Sequence, residues 1–334
     1  MNRDECNGFR YDFSHKGHYE SYFQRANHPN RPLAFWIRYT VFSPRNRPKD
    51  AVGELWAIYF NGESHKITAV KENIPITRCR FAPYGLNIQV GQATLDNQVL
   101  QGQSSALGNT IAWQLQYESP SPPLCLLKPQ YYTAPFPKAK ALVGSPFAVY
   151  HGNLTVNDET IAIDGWVGSQ NHNWGSQHTD RYAWGQVCGF DNSADTHLEI
   201  ATAKVKIGPS FFPIRTPWMT MAVLRYQGRD YAFNDMVTAL RATAEYDFRV
   251  WRFSTQCHGV QLEGRMETTA VDFIGLPYDN PPGGRKTCLN SKIATAEIRL
   301  SFPGEPPVTL FSKHRAAFEI LTDDNNHGVE VLSV

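Results

Sequence analysis

Apolar and polar side chains alternate along most of this chain with a period of two, which is the spacing of β-strands. Residues 35–42 read Phe-Trp-Ile-Arg-Tyr-Thr-Val-Phe, a run of aromatic and β-branched side chains interrupted by one arginine. Residues 55–60 and 86–90 have the same character. Side chains of these types pack well on a pleated surface. The pattern therefore predicts an all-β fold.

Strand-like runs continue through the rest of the chain and are separated by short turn signals. We predict further strands at 66–70, 160–167, 182–187, 197–207, 218–226 and 293–302. Hairpin turns are predicted where residues that tolerate turn geometry stand between two such runs, at Asn61-Gly62, Asp96-Asn97, Asn157-Asp158 and Gln227-Gly228. Regular spacing of short strands and turns is typical of β-sandwiches and β-barrels. Helical patterning is scarce, and the best helix prediction covers residues 235–246.

A proline-rich segment divides the chain. Residues 120–137 contain six prolines, which lack a backbone N–H and fix the backbone angle φ. The segment therefore does not fit a central strand, and we interpret it as the connection between two halves. With 334 residues the chain is long enough for two domains. We predict an N-terminal β domain over 1–150 and a C-terminal β domain over 151–334.

Composition and charge narrow the classes of function. A hydrophobic fraction of 42% and an aromatic fraction of 13% are ample for a packed core. The 32 basic and 31 acidic residues leave a net charge of +1, so no strong field attracts phosphates and nucleic acid is not a predicted partner. The six cysteines are scattered, without a Cys-x-x-Cys pair, and are predicted to be free thiols.

The chain shows no targeting or membrane-spanning pattern. Its N-terminus stays polar through His28, without the apolar core of a signal peptide. No run approaches the roughly 18 consecutive apolar residues that a spanning helix needs. We predict a cytoplasmic protein without a stable membrane span, which at most touches a membrane surface transiently. Its oligomeric state is left open.

Several catalytic motifs are absent. The sequence has no Gly-x-Ser-x-Gly nucleophile motif, no phosphate-binding Gly-x-x-x-x-Gly-Lys-Ser/Thr loop and no His-Glu-x-x-His zinc motif. A zinc site formed by His172, His178, Cys188 and His197 was considered, but these residues lack the regular spacing of zinc ligands. We therefore predict no metal site.

The most informative segment is 165–199, which is rich in histidine, polar residues and tryptophan together. Trp166, Trp174 and Trp184 lie in it, three of the eight tryptophans of the chain. Large aromatic faces combined with polar donors are typical of a ligand pocket. The alternative interpretation is a barrel core with polar residues at the strand ends.

Two motifs in this segment carry a family resemblance. Residues 171–175 read Asn-His-Asn-Trp-Gly and 182–186 read Tyr-Ala-Trp-Gly-Gln, which resembles the Asn-Trp-Gly and Trp-x-Trp-x-Gln pattern of tocopherol cyclases. The His-x-Trp part is also similar to an element of bacterial carotenoid 1,2-hydratases and their lipocalin-like relatives. Residues 221–231 resemble a hairpin of the same families. The chain departs from the hydratase pattern because it has no Tyr-x-Asp.

The resemblance implies two lipocalin-like antiparallel β-barrels or sandwiches packed together, with few short helices and a site near their junction. It implies a cofactor-free cyclase or hydratase that adds a proton to an alkene of an isoprenoid-like, hydrophobic substrate, after which a hydroxyl group or water captures the carbocation. A non-catalytic carrier of a hydrophobic molecule is the main alternative, and a structural protein with a vestigial pocket is a third.

Alkene protonation requires an acid that keeps its proton near neutral pH, and burial beside apolar walls raises a carboxyl pKa enough to allow this. Asp191 follows Val-Cys-Gly-Phe and is the predicted catalytic acid, with Glu199 and Asp164 as the next candidates. His172 is the predicted residue that orients water or a hydroxyl and accepts its proton. The predicted substrate-binding residues are Trp166, Asn171, Asn173, Trp174, Tyr182, Trp184 and Gln186.

Overall fold

The computed structural model describes residues 2–207 and 214–333, and most of these residues lie in strands. The first sheet is formed by β1 (His18–Asn27), β2 (Leu33–Ser43), β3 (Val52–Asn61), β4 (Lys66–Pro75), β5 (Cys79–Phe81), β6 (Asn87–Val90), β7 (Ala93–Asp96), β8 (Val99–Ala106), β9 (Asn109–Glu118), β10 (Ala139–Val156) and β11 (Glu159–Gly175). Their spatial order is β4-β3-β2-β1-β11-β10-β9-β8-β7-β6-β5. The sheet curls into a nearly closed barrel.

The remaining strands are β12 (Arg181–Phe190), β13 (Ser193–Lys204), β14 (Lys206–Ile207), β15 (Ile214–Arg215), β16 (Met219–Tyr226), β17 (Arg229–Phe233), β18 (Thr243–Tyr246), β19 (Val250–Cys257), β20 (Val260–Glu267), β21 (Ile274–Asp279), β22 (Arg285–Ser301) and β23 (Val308–Thr322). Ten of them form the second sheet, in the order β17-β16-β13-β12-β23-β22-β20-β19-β18, with β21 also paired to β22. Strands β14 and β15 pair separately.

Helices are few and short in the described ranges: α1 (Arg3–Asn7), α2 (Gln130–Thr133) and α3 (Met236–Arg241), with 3₁₀ turns at Pro48–Asp50, Ile76–Arg78 and Ala270–Asp272. The predicted fold class is therefore confirmed: the protein is all-β, with two lipocalin-like antiparallel units and few short helices. None of the described helices is long and apolar enough to cross a membrane.

Strand β2 shows how the two units pack against each other. Phe35, Ile37 and Tyr39 point into the core of the first barrel. Ala34 and Trp36 alternate with them and pack against the second sheet. Because side chains alternate across a strand, burial of both faces requires the nearly continuous aromatic and apolar run that the sequence shows. The second unit has its own separate core.

The local predictions are confirmed in most places. All four predicted hairpin turns connect paired strands, and each predicted strand overlaps an observed one, although β11 continues to Gly175 and β22 begins at Arg285, well beyond the predicted bounds 160–167 and 293–302. The helix predicted over 235–246 is shorter: Asp235 caps its N-terminus by accepting from the Thr238 N–H, and it ends at Arg241. The chain beyond Ala242 instead forms β18, which pairs with β19. The cysteines are free thiols, as predicted.

The proline-rich segment, which was predicted to connect the two halves, connects two strands of the first sheet. It lies between β9 and β10, which pair with each other in the first sheet, so it does not join the two sheets. Residue 150 lies inside β10, and the chain passes to the second sheet between Gly175 and Arg181. The reason is that β10 and β11 form one long hairpin of the first sheet. That residues 1–150 and 151–334 fold as two separate domains stays a prediction.

Candidate functional site

A cavity of about 220 Å³ lies between the two sheets. Strands β1 and β2 supply one wall through Tyr19, Trp36 and Arg38, and the proline-rich segment contributes Leu127 and Phe136. The opposite wall comes from the second sheet and is formed by side chains that include Tyr182, Trp184, Met219, Met221, Tyr278 and Glu319. Most of the lining is aromatic or aliphatic, with a few polar groups among it, which is the usual composition of a site for an apolar small molecule.

Aromatic rings and one histidine form a stacked group in this cavity. The ring of His178 lies between Tyr19, at a centroid distance of 4.0 Å, and Tyr278, at 5.7 Å. Burial, reinforced by the charge of Arg38, lowers the pKa of His178 to about 3, so its imidazole is neutral near pH 7. Burial also raises the pKa of both phenols, which remain neutral O–H groups.

The guanidinium of Arg38 is enclosed in the cavity wall. Its Nη2 donates to Ser21 Oγ at 2.6 Å, and its Cζ lies 4.6 Å from the ring centroid of Tyr278. Within residues 2–207 and 214–333, its Nε and Nη1 have no hydrogen-bond partner. Arg38 follows Trp36 by two residues on the same face of β2, which explains why it points toward the second sheet.

The cavity contains one carboxylate, contributed by Glu319 of β23. Its Oε1 accepts from Lys292 Nζ at 2.7 Å and from Asn290 Nδ2 at 2.9 Å. Burial lowers the pKa of Lys292, although the charge of Glu319 opposes this effect. The ammonium also lies 5.6 Å from the ring centroids of both Trp36 and Trp184. Glu319 and Lys292 therefore form a buried, hydrogen-bonded ion pair beside two indole rings.

Three of the residues predicted to bind substrate line the cavity: Asn173, Tyr182 and Trp184. The Tyr182 hydroxyl lies 3.7 Å from Cys288 Sγ, and Trp184 Nε1 donates to Glu199 Oε1 at 2.7 Å. Side chains alternate between the two faces of β11, so Asn173 points into the cavity while its neighbours His172 and Trp174 point to the other face.

His172 and Trp174 lie on the opposite face of β11, outside the cavity lining. Nδ1 of the buried His172 is 2.7 Å from the Cys6 carbonyl oxygen, and Nε2 is 2.8 Å from Glu20 Oε1. Burial raises the pKa of Glu20, but hydrogen bonds from His172 and His18 outweigh burial and lower it to about 2. Both ring nitrogens of His172 thus lie within hydrogen-bond distance of protein oxygens on the side of β11 away from the cavity, and no contact in this arrangement supports the predicted base role.

Asn171 and Gln186 belong to a buried polar network between the sheets. Gln186 Nε2 donates to Asn171 Oδ1 at 2.8 Å and to Glu199 Oε2 at 2.9 Å, while its Oε1 accepts from Arg25 Nε at 2.6 Å. Burial raises the pKa of Glu199 to about 7, although the hydrogen bonds from Trp184 and Gln186 oppose the shift. Glu199, one of the next candidate acids, therefore has the raised carboxyl pKa that was expected of Asp191.

Asp191 is not a buried acid, and this expectation is corrected. It lies in the turn after β12 with its side chain 19% exposed, where its Oδ1 accepts from Arg315 Nη2 at 2.6 Å and its Oδ2 from the Lys313 N–H at 2.9 Å. The turn directs its side chain away from the cavity. Asp164 is exposed and pairs with His151. Trp166 lies in the core of the first barrel, where it packs against other apolar side chains and does not line the cavity.

The four residues named as possible zinc ligands are not brought together as a set, although Cys188 and His197 stand opposite each other in β12 and β13. His178 stacks in the cavity, His172 bonds to Glu20, and Cys188 Sγ accepts from Arg25 Nη2 at 3.0 Å. In the part of the chain that the structure describes, no group of three His, Cys, Asp or Glu side chains is placed to hold a metal ion.

Sequence reasoning did not single out Arg38 or Glu319. Each is one charged residue within a mostly apolar run: Arg38 interrupts 35–42, and Glu319 follows Ala-Ala-Phe and precedes Ile-Leu. Charged side chains are almost never fully buried unless they are paired or functional. A charged residue within a run that is apolar on both faces of a strand is the sequence signal that could have identified them.

Comparisons with known proteins agree with the fold. No family model matches the chain. Two uncharacterised proteins from two strains of Mycobacterium tuberculosis are each 23% identical over 287 residues, which cover 85% of this chain and 82% of each relative.

Several solved structures share the fold at lower sequence identity. The chain is similar to a protein of Nitrosomonas europaea assigned as AttH, with a TM-score of 0.57, 12% identity and 95% of both chains covered. It is similar to kievitone hydratase from Nectria haematococca, with a TM-score of 0.56, 12% identity and coverage of 96% of this chain and 97% of that one. CghA, solved with Sch210972, has a TM-score of 0.55 and 11% identity over 92% of this chain and 88% of that one. At these identities the likeness shows the fold.

Proposed function

We propose that this protein is a cofactor-free hydratase or cyclase that acts on an apolar, isoprenoid-like molecule held in the cavity between the two sheets. The observation that carries the proposal is a carboxylate, Glu319, in the wall of a cavity that is otherwise mostly aromatic and aliphatic. The fold shared with kievitone hydratase is consistent with this class of reaction, although a shared fold does not by itself determine function.

In the proposed reaction, Glu319 replaces Asp191 as the acid. Lys292 transfers a proton to Glu319, which gives a neutral pair, and Glu319 adds this proton to one carbon of the bound alkene. The adjacent carbon becomes a cation beside the regenerated carboxylate. Water or a hydroxyl group of the substrate then forms a C–O bond to that carbon and releases a proton, which returns to Lys292. No oxidant or reductant is needed.

The surroundings of Glu319 support this assignment. The pKa of Lys292 is lowered by burial, which favours loss of its proton. Trp184 and Trp36 present their rings to the Lys292 ammonium, and such faces also stabilise a carbocation. Tyr19 and Tyr182 retain their hydroxyl protons near neutral pH because burial raises the pKa of both.

Mass spectrometry of products formed in D₂O tests the proposal. Purified protein is incubated with a panel of isoprenoid alkenes with and without an internal hydroxyl group. A hydratase gives a product heavier by one D₂O, with one deuterium bound to carbon, and a cyclase gives an isomer of the substrate with one carbon-bound deuterium. We expect Glu319→Gln to lower turnover by about 100-fold or more while the substrate still binds. The matched control is Asp191→Asn, which alters a carboxylate that pairs with Arg315 outside the cavity lining and should leave turnover unchanged.

Two results would contradict the assignment. Turnover that survives in Glu319→Gln would exclude Glu319 as the acid. A wild-type protein that retains the isoprenoid but returns it unchanged would favour the carrier function, which is the second candidate. The specific observation that favours the carrier is the position of His172 outside the cavity, because the predicted base is then missing from the site.

A further inference from the structure

We infer that the cavity recognises an apolar molecule that carries one anionic oxygen group, such as a carboxylate, and that Arg38 binds this group. The inference rests on the proposed function for the location of the site and adds the chemical class of the ligand.

The first observation is the incomplete pairing of a buried guanidinium. Arg38 is only 5% exposed, and Ser21 accepts one of its five N–H donors. In the described ranges its Nε and Nη1 have no partner, and no carboxylate lies within 4 Å of the guanidinium. A buried charge without a counter-ion is costly to the folded state, so a protein that retains one commonly uses it for binding.

The second observation is that the two carboxylates whose charge reaches Arg38, Glu54 and Glu319, are each paired with a lysine. Glu319 is engaged by Lys292 and Asn290. His178 is neutral near pH 7, because burial and the Arg38 charge itself lower its pKa to about 3. The tyrosine hydroxyls retain their protons. The cavity therefore keeps an excess positive charge at Arg38.

The shape of the donors defines the group. A guanidinium presents its N–H bonds as a planar fork that matches the two oxygens of a carboxylate, and such charge-assisted bonds are stronger than neutral ones. Tyr278 lies under the guanidinium plane at 4.6 Å, which holds the fork in one orientation. The remaining walls are apolar, including Leu127, Met219 and Met221, and suit a hydrocarbon body.

The experiment compares two probes that differ in charge. Binding of geranic acid and of methyl geranate is measured by isothermal titration calorimetry at about pH 8, where the acid is ionised. Wild type is expected to bind the acid about tenfold or more tightly than the ester. Arg38→Met should abolish this preference while the ester still binds. The control Arg31→Met removes an exposed arginine that pairs with Glu63, and it should keep the preference.

Folding of the variant is checked by its melting temperature. Replacing an unpaired buried charge by an apolar side chain of similar length should keep or raise Tm relative to wild type. If Arg38→Met does not fold, the wild-type comparison of acid and ester still decides, and Arg38→Lys provides a charged variant without the planar fork, expected to bind the acid more weakly than wild type.

The outcomes separate this inference from the proposed function. A wild type that binds the ester as well as the acid, or binds neither, overturns the inference, as does an Arg38→Met variant with an unchanged preference. Preference for the acid without any product supports the anion subsite and contradicts the hydratase or cyclase proposal. Product formation without preference for the acid supports the hydratase or cyclase proposal and contradicts the anion subsite.

Discussion

The indole N–H of Trp184 donates to the carboxyl of Glu199 at 2.7 Å, which links a side chain of the cavity wall to a buried acid. Burial raises the pKa of Glu199 to about 7, in spite of that hydrogen bond and a second one from Gln186. The carboxyl therefore titrates near neutral pH although it does not itself line the cavity. This relationship gives the protein a stability that depends on pH.

The first prediction concerns this pH dependence. The Glu199 carboxyl has a pKa of about 7 when folded against an ordinary value of 4.5. Below pH 4.5 both states keep the proton. Between pH 4.5 and 7 the unfolded state loses it first, so the free energy of unfolding falls as pH rises, by about 3 kcal/mol in total. Urea denaturation of wild type and Glu199→Gln at several pH values measures the difference.

The Glu199→Gln variant should lose less stability than wild type across this range. Glu297→Gln is the matched control, since Glu297 lies on the exposed face of β22. We expect the control to follow the wild-type pH profile. If the Glu199→Gln variant also follows the wild-type pH profile, the prediction is contradicted, because the Glu199 carboxyl would then already be ionised in the folded protein at low pH.

The second prediction concerns His172 as a structural residue. His172→Ala removes the hydrogen bonds to the Cys6 carbonyl and to Glu20, while Glu20 keeps those with the Arg10 N–H, His18 and Tyr22. We expect a loss of about 2 to 4 kcal/mol in the free energy of unfolding, from the lost buried hydrogen bonds and the space that the ring filled. His151→Ala breaks an exposed pair with Asp164 and should cost less than about 1 kcal/mol. Chemical denaturation of both variants decides, and equal small effects would show that His172 is not structural.

The strands and turns could be predicted because their signals are local. Residues 35–42 form a strand whatever they pair with, and Asn61-Gly62 forms a turn from its own backbone preferences. Pairing is not local: Tyr22 stands opposite His172 in β1 and β11, which lie far apart in the sequence. Sequence alone does not reveal that contact, nor that the sheets change after Gly175.

The site was only partly predictable for a related reason. In a strand, a shift of one residue exchanges the two faces. In the motif at 171–175, Asn173 faces the cavity while His172 and Trp174 face away. Asp191 follows apolar residues, as a buried acid would, yet its turn places it beside Arg315, outside the cavity lining. Only the three-dimensional arrangement distinguishes these cases.

The third prediction treats Gln186 as part of the junction between the sheets. Gln186→Leu leaves Arg25 Nε and Glu199 Oε2 each without a hydrogen-bond partner in a buried environment. We expect a loss of about 2 to 4 kcal/mol in stability. The control Gln101→Leu replaces an exposed glutamine of β8 and should have little effect. Thermal denaturation measures both. A stable Gln186→Leu protein with weakened ligand binding would instead indicate a binding role.

The fourth prediction separates the two tryptophans that the sequence motif treats alike. Trp184 lines the cavity, whereas Trp174 packs against Tyr132 and His172 on the other side of β11. Trp184→Ala should weaken binding of geranic acid by about tenfold or more, because it removes a large apolar wall. Trp174→Ala should leave affinity within about twofold of wild type.

Both tryptophan substitutions are expected to lower stability, since each ring is packed, so affinity is measured by calorimetry at a temperature where both variants are folded. The comparison depends only on which face of the sheets each ring occupies. Equal losses of affinity would mean that the ligand does not lie between the sheets. Loss in Trp174→Ala alone would move the site to the side of β11 that carries His172 and Glu20, and would return the proton-accepting role to that histidine.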